Sequence, residues 1–212
     1  GSGKSTLVKL MNRFYDVSRG SIEINGVDIR KYNLESLRAQ IGYVAQKAHM
    51  FKGSIQSNIC FGKPEASVEE MVHAATVAQA SDFISTREHG YEDEIAEDGT
   101  NISGGQKQRL SIARVILKKP SLYIYDDSFS ALDFKTDATL RKALKPEVKN
   151  AIFFVVAQRI STIMDSDMII VLDEGQIIGM GTHAQLLKDC SVYQEIAHSQ
   201  LTQKELDDYE RN

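Results

Sequence analysis

Cysteine and proline are scarce, with two of the first and three of the second in 212 residues. Cys60 and Cys190 lie far apart and in no metal-ligand spacing, which excludes a thiolate metal cluster and suits reduced thiols in a cytosolic setting. So little proline leaves no Pro/Gly-rich linker. With no internal repeat or low-complexity segment either, a beads-on-a-string layout is excluded. Long hydrophobic runs are also missing: the longest, Ala151 to Ala157, falls far short of the ~20 residues that cross a bilayer. The five histidines, His49, His73, His89, His183 and His198, show no paired ligand spacing, so surface or packing roles are expected of them. A net charge of -4 carries no global signature of a nucleic-acid binder. What is present is a 42% hydrophobic content, enough for one substantial core or two subdomains sharing an interface.

The apolar spacing of Leu7, Val8, Leu10, Met11 and Phe14 predicts a helix, and the alternation through Ser21–Gly26 predicts a strand ending in a turn. A strand at Ile41–Ala45, a loop at 46–57, a helical stretch at Val68–Ile84 and a helix at Gly104–Leu117 follow. Two continuous apolar runs, Ser121–Tyr125 and Ala151–Val156, read as strands buried on both faces of a parallel sheet. A helix at Thr136–Leu144 separates them. A hairpin turning at Asp173-Glu174-Gly175 and a helical tail at Ala184–Ser199 complete an α/β pattern, with a helical insertion between residues 60 and 118. The acidic stretch from Glu205 to Glu210 reads as a solvated helix end.

Two segments carry phosphate chemistry. Gly1-Ser2-Gly3-Lys4-Ser5-Thr6 matches the end of G-x-x-x-x-G-K-[ST], in which glycines let backbone N–H groups turn toward phosphate oxygens. Lys4 would reach the β- and γ-phosphates, and Ser5 would offer a hydroxyl to Mg²⁺ at a helix N-terminus. The hexapeptide alone also fits an ordinary Gly/Ser turn before a helix. Its partner is Leu122-Tyr123-Ile124-Tyr125-Asp126-Asp127, an apolar strand ending in two carboxylates, as in P-loop NTPases that hold the metal opposite the phosphate loop. Asp126 is expected to bind Mg²⁺ and Asp127 to orient the water that attacks the γ-phosphate.

Between them, Asn101-Ile102-Ser103-Gly104-Gly105-Gln106 resembles the signature loop of ABC ATPases, usually written L-S-G-G-Q, with Ile102 in place of Leu. The order of the other segments extends the resemblance over nearly the whole chain. Gln46 resembles the Q-loop glutamine, expected near Mg²⁺ or the attacking water, and Ser130-Ala131-Leu132-Asp133 resembles the D-loop of the dimer interface. Phe51–Ile59 and Glu94–Gly99 resemble two segments typical of exporters. The resemblance implies a P-loop NTPase of ABC type: a mostly parallel sheet core at about 1–59 and 119–212 and a helical signature subdomain at about 60–118. It implies ATP and Mg²⁺ as cofactors, with Ser103, Gly104, Gly105 and Gln106 acting on ATP bound to a second ABC ATPase domain. It further implies transmembrane domains upstream in the same polypeptide, a place on the cytoplasmic face of a membrane, and no nucleic-acid partner. The opening, without Met and inside the phosphate motif, reads as a fragment boundary, with the first strands and the start of that motif missing; exposed sheet edges would follow.

The sequence departs from the family pattern twice. Asp127 stands where hydrolytic sites carry Glu, and Gln158 stands where a switch histidine follows the second core strand. Aspartate is shorter by one methylene, and glutamine lacks the charge and proton-transfer chemistry of imidazole. The expectation is a degenerate site in a heterodimeric exporter, whose intact signature loop completes the partner's site. A homodimer with slow sites, a soluble ABC ATPase acting in DNA repair or on ribosomes, and a nucleotide-binding regulator without useful hydrolysis stand as alternatives.

Overall fold

The computed structural model of the chain describes residues 2–202; Gly1 and the acidic stretch at 205–210 lie outside them. Helix α1 (Lys4–Met11) starts at Gly3, whose φ of 93° is the left-handed geometry that glycine adopts without steric cost. A short ladder, β1 (Glu23–Ile24) and β2 (Val27–Asp28), turns at Asn25-Gly26. Asn33 caps α2 (Leu34–Gln40) by accepting from the Glu35 and Ser36 N–H groups, and the helix runs directly into strand β3 (Ile41–Val44).

Next come β4 (Gly53–Ser54), α3 (Ile55–Ile59), α4 (Val68–Val77), α5 (Ser81–Ser85) and β5 (Glu94–Ile95). The long helix α6 (Gly104–Lys118) ends where Lys119 turns left-handed before Pro120. Strand β6 (Leu122–Asp126), α7 (Phe134–Glu147), β7 (Ile152–Val156) and the one-turn α8 (Ile160–Ile163) follow. The hairpin β8 (Ile169–Asp173) and β9 (Gln176–Gly181) leads to α9 (His183–Asp189) and α10 (Ser191–Gln200).

The central sheet has the order β3-β6-β7, all parallel, with Tyr43 opposite Ile124 and Ile124 opposite Phe154. Strand alternation divides its side chains between two cores. Ile41, Ile124 and Val156 face α1 and α2 through Val8 and Leu37. Val44, Tyr123 and Tyr125 face the other way, with Leu110 and Ala113 of α6 and Leu140 of α7. This is the layered α/β arrangement expected from the sequence. A third cluster joins Ile160, Ile169, Val171, Leu186, Tyr193 and Ala197 and ties α10 to the hairpin.

Four expectations are corrected. The stretch 46–57 is not all loop: Ser54 accepts from the Ser57 N–H and starts α3, and Gly53–Ser54 pairs antiparallel with Glu94–Ile95. The stretch 68–84 is two helices, because Gln79 takes a left-handed φ of 58° after α4. The tail is likewise two helices, interrupted at Cys190 with φ -125° and ψ 103°. Strand β6 is buried on both faces, but β7 lies at the end of the described sheet and leaves Ile152 67% exposed. The thiols of Cys60 and Cys190 are free, as expected.

Close packing of α6 on the sheet rests on Gly42. A Cβ there would stand 2.5 Å from Val115 Cγ1 and 2.7 Å from Pro120 Cγ, two stiff neighbours. Gly42→Ala is therefore expected to destabilise the fold by about 1–3 kcal/mol through overpacking, read as a lower urea midpoint at unchanged m-value.

Candidate functional site

The phosphate loop and the carboxylate strand meet. The Ser5 hydroxyl at the first turn of α1 donates to Asp126 Oδ1 at 3.0 Å, and Lys4 Nζ donates to Ser2 Oγ at 2.7 Å. Gly3 closes the loop and Thr6 faces solvent one residue past Ser5. The Gly175 N–H of the β8–β9 turn donates to the Ser2 carbonyl at 3.2 Å. Asp126, 3% exposed, has its second oxygen held as well: the Tyr43 hydroxyl donates to Oδ2 at 3.2 Å. Tyr43 sits directly opposite Ile124 in the parallel register, on the same sheet face as Asp126 two residues on, so the diagonal reach follows from the pleat. Burial and the neighbouring Asp126 charge push the Tyr43 hydroxyl up to about 12, so it stays a donor at physiological pH.

Asp127 leaves the strand in a left-handed turn, φ 48°, a conformation that short Asp tolerates better than longer side chains. Its N–H still donates to the Val156 carbonyl at 2.8 Å, which anchors the turn to β7. The carboxylate is turned toward two glutamines. Gln158 Nε2 donates to Asp127 Oδ2 at 2.7 Å and Gln46 Nε2 donates to the same oxygen at 3.3 Å. Thus Gln46, Asp126, Asp127 and Gln158, singled out from separate stretches, converge at the C-terminal ends of β3, β6 and β7. Ligand sites of open parallel sheets lie at that edge. Burial, reinforced by the Asp126 charge, raises the Asp127 carboxyl above the ordinary aspartate range, against the opposing hydrogen bond from Gln158.

The signature residues occupy another element. Ser103 caps α6 in a capping box: its hydroxyl accepts from the Gln106 N–H at 3.2 Å, and the Gln106 side chain accepts from the Ser103 N–H at 3.0 Å. Ile102 is buried, whereas Ser103 and Gly104 face solvent, with open space where a Gly104 Cβ would lie. Gly105 lies against the next motif, since a Cβ there would stand 3.4 Å from the Ala131 carbonyl. Ser130 donates to the Asp127 carbonyl at 2.7 Å, Ala131 is exposed, Leu132 is buried, and Asp133 caps α7 by accepting from the Thr136 N–H at 3.0 Å. The two exporter-like segments meet in the β4–β5 ladder, which Asn101 extends by donating to the Glu94 carbonyl and accepting from the Ala96 N–H.

Sequence reasoning missed the supports of these groups. Buried Gln108 of α6 donates to the Ala45 carbonyl at 3.2 Å and so holds the backbone beside Gln46. Arg114 donates to the Asn58 carbonyl at 2.8 Å and lies over the Phe51 and Phe61 rings. The signal for Gln108 was available: a polar residue on the apolar stripe of α6, in line with Ile112 and Val115 at helical spacing.

The paired acids give a pH prediction for the protein free of divalent cation. The folded Asp127 pKa lies above the unfolded one, so its contribution to stability is full below the unfolded pKa and is lost as pH rises through the folded value. In ¹³C-carboxyl titrations in EDTA, Asp126→Asn is expected to lower the Asp127 pKa by removing the neighbouring charge. An unchanged or raised value would contradict that electrostatic account.

The geometry agrees with comparisons to known proteins. The family described as "ABC transporter" matches residues 1–130. The "putative multidrug export ATP-binding/permease protein YgaD" of Bacillus subtilis is 47% identical over 196 residues, 92% of this chain and 34% of that protein. "Heavy metal tolerance factor 1" of Caenorhabditis elegans is 42% identical over 204 residues, 96% of this chain and 26% of that protein. A solved bacterial Atm1-family ABC exporter with ATP bound superposes with a TM-score of 0.90 at 39% identity, over 93% of this chain and 35% of that one. The chain thus spans about a third or less of the length of these relatives. On the strength of the family match and of the shared fold, the chain belongs to the ABC transporter family.

Proposed function

We propose that this chain binds ATP with Mg²⁺ and hydrolyses it to power export across a membrane, as the degenerate-site half of a heterodimer. The observation that carries the reading is the meeting of two hydrogen-bonded groups at one sheet edge, Ser5 on Asp126 and both Gln46 and Gln158 on the adjacent Asp127. The donor set fits Mg²⁺: Ser5 Oγ and Asp126 Oδ1 are hard oxygens 3.0 Å apart. No group of three or more His, Cys, Asp or Glu among the described residues forms an all-protein metal cage, as suits an ion that keeps waters and takes substrate phosphates. When bound, the ion would neutralise charge building on the β- and γ-phosphate oxygens.

The protein's own groups divide the remaining work. Gly3 and the first turn of α1 present backbone N–H groups to phosphate, and Lys4, held beside Ser2, swings to the β- and γ-oxygens. Asp127 would orient the attacking water, and Gln46 and Gln158 fix its carboxylate. The slowness of a degenerate site has another source: the two amides that hold Asp127 Oδ2 are neutral, and neither can take up a proton or supply an imidazolium charge to the γ-phosphate.

Ser103, Gly104, Gly105 and Gln106 open α6 toward solvent and would act on ATP held by a second ABC ATPase domain, with Ser130–Asp133 along the same contact. The ladder of Gly53–Ser54 with Glu94–Ile95 gathers both exporter-like segments on one surface, where transmembrane domains would dock. In this arrangement the chain sits on the cytoplasmic face, as a sheet core at about 1–59 and 119–212 with a helical subdomain at about 60–118. A nucleotide-binding regulator is favoured by one observation, the capture of Asp127 by two amides.

Steady-state ATPase of the intact protein, alone and with a partner half-transporter, separates the readings. Turnover is expected only with the partner; at this chain's own site, read with the partner's site inactivated, it is expected to rise on the order of 100-fold when Asp127→Glu and Gln158→His are combined. Lys4→Ala is expected to abolish nucleotide binding to this site. Full activity of the protein alone would establish a homodimer in which Asp127 suffices. No turnover in any pairing, with ATP binding intact, would establish the regulator.

A further inference from the structure

The backbone around Gln158 is held by a residue 42 positions away. Gln200, the last residue of α10, donates from Nε2 to the Gln158 carbonyl at 2.9 Å. Its Oε1 accepts from the Ile160 N–H at 2.8 Å. One carboxamide thus grips the chain on both sides of Arg159, with the donor and acceptor pattern that a neighbouring β-strand would offer. The amide orientation is fixed by this chemistry, since a carbonyl needs a donor and an N–H an acceptor.

We infer that Gln200 is a positioning residue for the reaction, acting through Gln158 on Asp127. The chain of contacts is short: Gln200 to the Gln158 backbone, then the Gln158 side chain to Asp127 Oδ2 at 2.7 Å. Gln200, Gln158, Arg159, Asp127 and Ser130 line one cavity of about 380 Å³, so a shift of the segment opens directly onto the reacting region.

The clamp has a rigid base. α10 is fixed by Tyr193 and Ala197, 1% and 0% exposed, within the cluster that also contains Ile160. The Gln194 side chain donates to the Leu187 carbonyl at 2.6 Å and ties α10 to α9. Other contacts to the segment fall beside the clamp. Arg141 donates to the Ser161 carbonyl at 3.0 Å and the Arg159 guanidinium lies 4.9 Å over the Phe134 ring. Neither fixes the peptide that carries Gln158. Being neutral, the amide holds its grip independently of pH, which Glu at the same position would not.

The inference rests on the reading of the site as an ATP-hydrolysing one, and its test separates the two. The intact protein, assembled with a partner whose own catalytic carboxylate is substituted so that only this chain's site turns over, is compared as wild type, Gln200→Met, Gln158→Ala and the double variant. Methionine keeps the length and packing of glutamine but neither hydrogen bond. Gln200→Met is expected to lower kcat about fivefold with KM for ATP within twofold, and to speed hydrogen exchange at the Ile160 amide. In the Gln158→Ala background the same change is expected to leave kcat within twofold, because its route to Asp127 is already cut. An equal fall in both backgrounds, or no change in kcat, overturns the positioning role. A wild type without turnover overturns the hydrolytic reading, and the inference falls with it. Unchanged exchange at Ile160 in Gln200→Met overturns the clamp whether or not the protein turns over ATP.

Discussion

The arrangement depends on how one strand ends. β6 lies between β3 and β7, so its last residue reaches the carboxyl edge of the sheet buried and aimed at α1. The left-handed turn at Asp127 then sends two adjacent carboxylates to different partners: Asp126 to Ser5 and Tyr43, Asp127 to Gln46 and Gln158. An extended residue at 127 would place its side chain on the opposite sheet face from Asp126 by strand alternation, among the apolar residues packed beneath α6. The turn instead keeps both carboxylates at the rim, and the 2.8 Å bond from the Asp127 N–H to the Val156 carbonyl holds it there.

α6 carries this geometry to the rest of the chain. Its first turn is the signature segment, its buried Gln108 holds the backbone beside Gln46, and Arg114 holds the end of α3. One fifteen-residue helix therefore touches the signature loop, the glutamine loop and the exporter-like segment Phe51–Ile59. A rigid element of this kind can pass a displacement at one end to the other without repacking between. The glycine at position 42 is what lets it lie against the sheet closely enough to do so.

Much of this was legible in the sequence because it is local or periodic. The β6 and β7 runs, the β8–β9 hairpin and the capped start of α6 each follow from a residue pattern within a few positions. The helix breaks at Gln79 and Cys190 were not, because neither is Gly or Pro, and each conformation is stabilised by surrounding structure. For Gln79 that support is Arg109, which donates to its carbonyl at 2.7 Å from 30 residues away. The partial exposure of β7 depends on its place in the sheet order, which no single segment encodes. At the site, Ser5, Asp126, Asp127, Gln46 and Gln158 were recognisable by motif. Tyr43, Gln108 and Gln200 were not, since each acts through a long-range hydrogen bond that no short stretch of sequence encodes.

The two departures from the family pattern also make sense as one local solution. A left-handed residue is strained by about 1–2 kcal/mol, least for a short polar side chain, and Asp127 is short and held in the turn by its N–H bond to the Val156 carbonyl. Burial and the adjacent Asp126 charge raise the Asp127 pKa, so donors to the carboxylate favour its charged form. Gln158 and Gln46 provide them without adding a titrating group, so the cluster is internally satisfied before any ligand arrives. On the reading proposed above, two terms still limit activity: the carboxylate is one methylene short, and the amides that hold it in place can neither take up a proton nor put a positive charge beside the γ-phosphate. On the same reading, a histidine at 158 with a longer carboxylate at 127 would reverse both terms at once, so the pair, more than either residue alone, would decide how fast this site turns over.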